Sequence, residues 1–379
     1  MRAGNKKTKW FKPFKILFQS VLASLNIFLV LLLIVSAFSD MISPEKNVIF
    51  AYLGLAFPVL LFLNICFFIY WLLTKKIFLS FIMIAAFALC WNPIFRFCPL
   101  HLNTEILPKE DIIKVLSYNV MSFAYKDHTK ASPNKIIEYI AESEADIVCL
   151  QEYMVSSRNN LMNSNDVAKA LPMYPYITEI FFSSPENNRY KYGLAVLSKF
   201  PITKSRRIPF PSKYNGSSIH EINVHGKTVV VINNHLESFK LTTEDRSNYS
   251  DIITHANLES LDELRGSIQQ KLGQAYRIRA KQAEMIADEI HKTNGYYTIV
   301  CGDFNDTPIS YARRTIKGNF DDAFEESGLG LGISYNQNYF YFRIDHIFHS
   351  LSMKSYNCRV DTRVDLSDHY PIYCYLQLK

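Results

Sequence analysis

The residues of this chain best suited to chemistry lie in Cys301-Gly302-Asp303-Phe304-Asn305-Asp306-Thr307-Pro308. The preceding Tyr296-Tyr297-Thr298-Ile299-Val300 is β-branched and aromatic, the composition of a buried strand. Asp306 and Pro308 break that strand, and a helix is expected from Ser310. A carboxylate and a carboxamide two residues apart are thus delivered to a loop mouth, behind a glycine that allows close backbone approach and on a strand that holds them firmly. Oxygen ligands, a group that orients water and a rigid support are what a hard divalent cation and a phosphate require. Taken alone, the stretch reads equally well as an Asx-rich turn that merely closes a strand.

Five other apolar runs end in the same kind of residue. Val115-Leu116-Ser117-Tyr118-Asn119 ends in a carboxamide, Ile147-Val148-Cys149-Leu150-Gln151-Glu152 in a carboxylate, and Val229-Val230-Val231-Ile232-Asn233-Asn234-His235 in an imidazole. Asp345 sits in Arg343-Ile344-Asp345-His346-Ile347-Phe348, and Asp368 and His369 in Ser367-Asp368-His369-Tyr370-Pro371. Polar residues end most strands, so each run by itself says little. The ordered set of Asn, Glu, His, Asp-x-Asn, Asp and Asp-His is specific.

In that order the chain resembles the endonuclease/exonuclease/phosphatase family, over about Lys114 to Leu378. Its members include deoxyribonucleases, abasic-site endonucleases, sphingomyelinases and inositol polyphosphate 5-phosphatases. The resemblance implies an α+β fold, a four-layered α/β sandwich of two packed, mostly antiparallel sheets with outer helices, and a divalent-metal site at one end of the sheets. It also implies that Glu152 binds Mg²⁺ or Mn²⁺, that Asn119 completes the metal shell or holds the phosphate, and that Asp368 assists the metal or a second ion. By the same resemblance, Asp303 and Asn305 would orient and deprotonate the attacking water, Asp345 and His369 would form an orienting pair, and His235 would face the phosphoryl oxygens. Either Asp303 or His369 can serve as the general base on this reading. Tyr192, before Gly193, stands where some relatives place a phosphate-contacting tyrosine; core packing is the competing assignment.

The elements that must position these residues are short apolar strands mixed with amphipathic helices. Strands are expected at Ile112–Tyr118, Asp146–Gln151, Tyr192–Ser198, Ser218–Val224, Lys227–Asn234, Arg343–His349, Ser352–Val360 and Tyr370–Leu378, with a tight hairpin at His225-Gly226. Ser132-Pro133 reads as the start of a helix carrying Ile136, Ile137 and Ile140 on one face. Arg277–His291 is expected as a second helix with Ile278, Met285, Ile286 and Ile290 inward, after a polar stretch from Leu241 to Gly273. Hairpin pairs with few crossover helices argue for a two-sheet α+β sandwich rather than a doubly wound sheet.

The chain has 379 residues, enough for two or three domains, and 27 phenylalanines. Much of that apolar content sits in Ile16–Phe38, Val48–Leu73 and Ile77–Phe95, runs without a charged side chain and long enough to cross a bilayer. The expected organisation is a membrane region over 1–98, a linker over 99–111 and a catalytic domain over 112–379. The first 110 residues hold eleven Lys or Arg and four Asp or Glu, the remainder thirty and thirty-one. The chain's basic balance therefore reports membrane topology and is not evidence for a polyanion-binding face. Lys6, Lys7, Lys9, Lys12 and Lys15 precede the first run, and Lys75 and Lys76 separate the second and third. By the positive-inside rule the N-terminus is cytoplasmic and the catalytic domain extracytoplasmic; Arg96 opposes this weakly.

Among the cysteines, Cys149 and Cys301 read as small core residues; Cys358 and Cys374 fall in two late strands and are placed to meet across a sheet. His220, His225, His346 and His349 read as ordinary core or surface histidines, Arg343 as a structural ion pair, and Arg206-Arg207 and Arg313-Arg314 as solvated charge pairs. The expected substrate is a phosphoester, borne by a lipid headgroup, an inositol phosphate or a nucleic acid. The alternative of another class is a membrane-bound interaction module without catalysis, which the full set of Glu152, His235, Asp303 and His369 disfavours.

Overall fold

The computed structural model describes residues 7–102, 107, 108, 110–157, 161–183, 190–212, 214–239, 259–293, 296–337 and 341–379. Four helices come first: α1 (Lys7–Ala37), α2 (Ile49–Leu73), α3 (Ile77–Leu89) and α4 (Trp91–Phe97). Pro13–Met41 and α2 are each long and apolar enough to cross a membrane. The third apolar run differs from the expected single span: α3 and α4 meet at a 66° bend. Pro93 lacks an N–H to donate to Leu89 and crowds that turn, which accounts for the break. Arg96, in the last turn of α4, pairs with Asp40, just past α1, at 2.6 Å. The ends of the first and third runs therefore lie together, and the one basic residue that opposed the topology is neutralised.

The rest of the chain builds two six-stranded sheets. The strands are β1 (Ile112–Asn119), β2 (Ile147–Ser156), β3 (Tyr176–Ser183), β4 (Tyr190–Ser198), β5 (Ile202–Ile208), β6 (Gly216–Val224), β7 (Lys227–His235), β8 (Tyr297–Asp303), β9 (Asp321–Asp322), β10 (Asp345–His349), β11 (Met353–Val360) and β12 (Ile372–Leu378). Their orders are β11-β12-β1-β2-β4-β3 and β5-β6-β7-β8-β10-β9. One pair in each sheet is parallel, β1 with β2 and β7 with β8, and the other pairings are antiparallel. The sheets are thus mixed, and β3, β5 and β9 add strands beyond those expected.

Burial of alternate side chains defines the layers. Val115, Cys149, Val231, Cys301, Ile347 and Cys374, from both sheets, form one core between them. Leu116, Val148 and Leu150 face the other way, onto Ile136, Ile137 and Ile140 of α5 (Lys135–Glu142) and Val167 of α6 (Ser164–Ala170). Val230, Ile232, Val300 and Phe348 face α7 (Glu259–His291) and α8 (Tyr311–Lys317) through Ala283, Ile286, Ala312 and Ile316. The order helix, sheet, sheet, helix is the four-layered sandwich.

Several local details depart from expectation. Asn134, not Ser132, caps α5, its side chain accepting from the Ile136 N–H at 3.0 Å. Helix α7 begins eighteen residues before Arg277, so part of the polar stretch is helical, while residues 241–258 of it lie outside the described residues. Its buried stripe runs through Ala275, Tyr276, Arg279, Ala283 and Ile286, with Ile278 half exposed. Arg313 is fully buried against Asp322 at 2.6 Å and against Glu325, rather than solvated. Cys358 and Cys374 are buried free thiols. His220, His346 and His349 are buried, while His225 sits edge-on to Phe200 at the hairpin.

Candidate active site

Because β1 runs parallel to β2 and β7 parallel to β8, the chemistry-bearing strand ends gather at one edge of the sandwich. Asn119 lies opposite Gln151, and His235 opposite Asp303, which in turn lies opposite Asp345 at the start of β10. His235, Asp303 and Asp345 therefore form one row across three adjacent strands. The two sheets are tied beneath this row by polar side chains: Gln151 Nε2 donates to Asn233 Oδ1 at 2.7 Å and to Ser117 Oγ at 3.1 Å.

Gly302 explains how β8 comes so close to β7. Its φ is +132°, and a Cβ there would stand 2.0 Å from the Asn234 carbonyl oxygen. The close approach read from the sequence is thus to the neighbouring strand. It sets the level at which Asp303 leaves the sheet.

Asp303 Oδ2 is the centre of the site. Asn119 Nδ2 donates to it at 3.1 Å and Asn305 Nδ2 at 3.3 Å, with His369 Nε2 at 3.5 Å and His235 Nε2 at 3.7 Å. Its Oδ1 accepts the Asn305 backbone N–H at 2.7 Å. Asp303 is 1% exposed, and burial raises its carboxyl pKa, an effect that His369 opposes. His369 Nδ1 stands 2.8 Å from Asp345 Oδ2. Burial works against the imidazolium of His369, but Asp345 and Asp303 outweigh it and hold its pKa well above the ordinary value. Burial lowers the pKa of His235, with Asp303 opposing, so the two histidines are pushed in opposite directions.

Glu152 reaches this group through an irregularity that no periodicity signals. Successive strand residues face opposite sides, so Gln151 and Glu152 would normally diverge. The register of β2 on β4 shifts between Leu150 and Tyr153, and Glu152 has φ +51°, a bulge that turns its carboxylate to within 3.7 Å of His235 Nε2. Removal from water, then the charges of Asp368 and Asp303, push its pKa up to about 7. Asp368 is half-buried, and its Oδ1 has no hydrogen-bond partner. One carboxylate short of a donor, beside another crowded by like charge, is a donor set that suits a hard divalent cation.

Asp303, Asp345 and His369 also offer one ligand atom each within 4.8 Å of one another. Nδ1 of His369 is already engaged by Asp345, which leaves Nε2, 3.5 Å from Asp303 Oδ2, as the ring atom this trio has to offer. Asn119 is fixed at both ends of its amide: its Nδ2 donates to Asp303 while its Oδ1 accepts the Met121 N–H at 3.1 Å. Tyr192, half-buried on β4, packs edge-on against Tyr214 at 6.0 Å. Burial, then the Glu152 charge, raises its hydroxyl pKa.

The supporting residues were not legible beforehand. Ser334 Oγ accepts from the N–H groups of Ile344 and Asp345 at 3.0 and 3.1 Å, and Tyr335 packs edge-on against His369 at 5.1 Å. Ser367 Oγ donates to the Asn119 carbonyl at 2.6 Å. Asn215, in an Asn-Gly-Ser triplet, is buried; its Nδ2 donates to the Leu236 carbonyl at 2.8 Å and lies 3.4 Å from His235 Nε2. Arg343 forms no close ion pair among the described residues, donating instead to the carbonyls of Leu331 and Arg96 at 2.9 and 2.5 Å.

Comparison with known proteins bears on the fold and on the family. Among solved structures, an endonuclease/exonuclease/phosphatase protein from Beutenbergia cavernae superposes with a TM-score of 0.51 at 15% identity, covering 71% of this chain and 72% of that one. The human nocturnin catalytic domain gives 0.49 at 16% identity over 74% of this chain and 99% of its own, and Caenorhabditis elegans TDP2 gives 0.47 at 18% over 72% and 77%. No curated protein matches by sequence. Residues 19–97 match a domain of unknown function, the same segment that supplies the apolar helices. Residues 116–369 match the model of the Endonuclease/Exonuclease/phosphatase family, and the chain belongs to that family.

Proposed function

We propose that the chain is a membrane-anchored phosphoester hydrolase dependent on Mg²⁺ or Mn²⁺. The observation that carries this reading is the meeting of Asn119, His235, Asn305 and His369 around a single buried oxygen, Asp303 Oδ2, with Glu152 beside them. Glu152, Asp368 and Asn119 are assigned to hold the cation, which when bound polarises the phosphoryl group and makes water more acidic. Asp303, its basicity raised by burial, takes the proton of the water that attacks phosphorus, and Asn305 holds that water in line. His369, kept cationic by Asp345, and His235 face the phosphoryl oxygens on which negative charge grows. Since His369 is already protonated, the base assignment goes to Asp303.

The division into a membrane region over 1–98, a linker over 99–111 and a catalytic domain over 112–379 is part of this reading. So is the orientation: Lys12, Lys15, Lys75 and Lys76 mark the cytoplasmic end, and the Asp40–Arg96 end, with the catalytic domain, lies outside. Tethering and a nearly neutral catalytic domain favour a phosphoester on a lipid headgroup or an inositol phosphate. A second reading, an anchored nuclease, is favoured by the exposed ring of Tyr214 beside Tyr192, a surface on which a base can stack.

The test is metal-dependent hydrolysis by the full-length chain in lipid nanodiscs, scored on DNA, RNA, sphingomyelin, inositol phosphates and a simple phosphodiester, with Asp303→Ala and His369→Ala alongside. Turnover that needs Mg²⁺ or Mn²⁺ and disappears in both variants is expected. Turnover retained by either variant would overturn the site assignment.

A further inference from the structure

The loop Gly328-Leu329-Gly330-Leu331-Gly332 points two leucines into solvent, Leu329 at 41% and Leu331 at 46% exposed. Exposure of a leucine is ordinary; the placement of these two is not. Leu329 forms an isolated β-bridge with Leu100, three residues past the end of α4. The Gly330 N–H donates to the Pro99 carbonyl at 2.8 Å, and the His101 N–H to the Gly328 carbonyl at 3.2 Å. Positive φ at Gly330 and Gly332, +77° and +59°, lets the loop fold back on itself with both leucines outward.

Arg343 then fastens the loop to the helices. One guanidinium nitrogen donates to the Leu331 carbonyl and another to the carbonyl of Arg96 in the last turn of α4. Arg96 in turn pairs with Asp40 at 2.6 Å. The loop is therefore held at the level where the first and third apolar runs end.

Further exposed apolar side chains adjoin it in the chain, beside the half-buried Arg96–Glu325 pair. Leu100 and Leu102 are 64% and 78% exposed, and Trp91, at the start of α4, is 62% exposed. Residues 97–102 and 328–333 contain no Asp, Glu, Lys or Arg. Helix α4 turns 66° away from α3, so it runs across the end of the third run instead of continuing it. Such a patch, continuous with a membrane-crossing segment and flanked by tryptophan, matches the chemistry of the bilayer interface.

We propose that Leu329 and Leu331, with Leu100, Leu102 and Trp91, form a lipid-contact surface by which the catalytic domain itself sits on the bilayer. This rests on the reading that the apolar helices cross a membrane. The same segment continues into Ser334, whose Oγ accepts the Asp345 N–H, and Tyr335, whose ring packs edge-on against His369, so it connects the lipid surface to the catalytic pair.

The test uses the full-length chain in phosphatidylcholine nanodiscs with the accessible native thiols removed by Cys66→Ser and Cys98→Ser. A nitroxide is placed in turn at Leu329→Cys, Leu331→Cys, Phe62→Cys in the middle of α2, and Lys204→Cys on the outer edge of the sandwich. Collision with oxygen is compared with collision with a water-soluble nickel chelate. Labels at 329 and 331 are expected to share the oxygen-dominated ratio of the label at 62, reversed from that at 204. If 62 reads as lipid while 329 and 331 follow 204, the surface proposal alone fails. Low accessibility of 329 and 331 to both reagents would mean contact with a second copy of the chain and would likewise overturn it. If 62 itself reads as water, the spanning reading fails and the surface proposal with it.

Discussion

His369 Nδ1 and Asp345 Oδ2 stand 2.8 Å apart, joining the loop before β12 to the first residue of β10. The carboxylate fixes the ring so that Nε2 faces Asp303, and it sustains the imidazolium that burial alone would discharge. Asp345→Asn keeps the shape and removes that support. The expected loss in kcat is about 10²- to 10⁴-fold. His369 would also fall toward its ordinary pKa, so the alkaline limb of the pH–rate profile should move to lower pH. A profile that drops uniformly without moving would assign Asp345 a purely structural part.

Glu152, proposed above to hold the cation, should make metal binding depend on pH. Its pKa is held near 7, mainly by removal from water, and only the ionised form can bind a cation. Metal affinity should therefore rise as pH increases through about 7, with release of a proton on binding near and below that value. Isothermal titration in buffers of different ionisation enthalpy measures both effects. Glu152→Gln should weaken metal binding by about tenfold or more and abolish its pH dependence in this range.

Gly302 admits no side chain. With φ +132° and a Cβ position 2.0 Å from the Asn234 carbonyl oxygen, Gly302→Ala must either separate β7 from β8 or displace Asp303. A loss of about 3 kcal/mol or more is expected, read as a lowered thermal unfolding midpoint, together with loss of turnover. Unchanged stability would mean that the two strands can part freely.

Two buried histidines away from the proposed cation-binding residues should limit acid stability. Burial lowers His220 to about 4 and His346 to about 3, against an ordinary value of 6.5. His220 stays neutral between Ser205 Oγ at 2.9 Å and Ser218 Oγ at 2.8 Å. The folded pKa lies below the unfolded one, so the unfolded chain binds more protons as pH falls below about 6.5. Stability should thus be full above 6.5 and decline through pH 4. Urea midpoints across that window should fall less steeply for His220→Asn than for the parent chain.

The sequence by itself determined which residues have the equipment for chemistry and where most strands end. Polar residues closing apolar runs at Asn119, Glu152, His235, Asp303, Asp345 and His369 are local features, written in composition and period, and so are the uncharged runs before Cys98. The edge strands β3 and β5 were missed because their alternation is diluted by half-buried or exposed polar residues such as Thr178, Lys204 and Arg206. Arg313 was read as solvated because a buried charge is recognisable only from its partners, and Asp322 lies nine residues away. Asn215, Ser334 and Ser367 carry no local mark of their positions around the site.

Tertiary structure alone decided that the strand ends meet. The parallel pairs β1/β2 and β7/β8 bring Asn119 beside Gln151 and His235 beside Asp303, though Asn119 and Asp303 are 184 positions apart in the chain. The bulge at Glu152 then turns that carboxylate inward, against the strand's own alternation. Register and bulges depend on how two sheets pack and on hydrogen bonds between distant segments, so local composition cannot specify them.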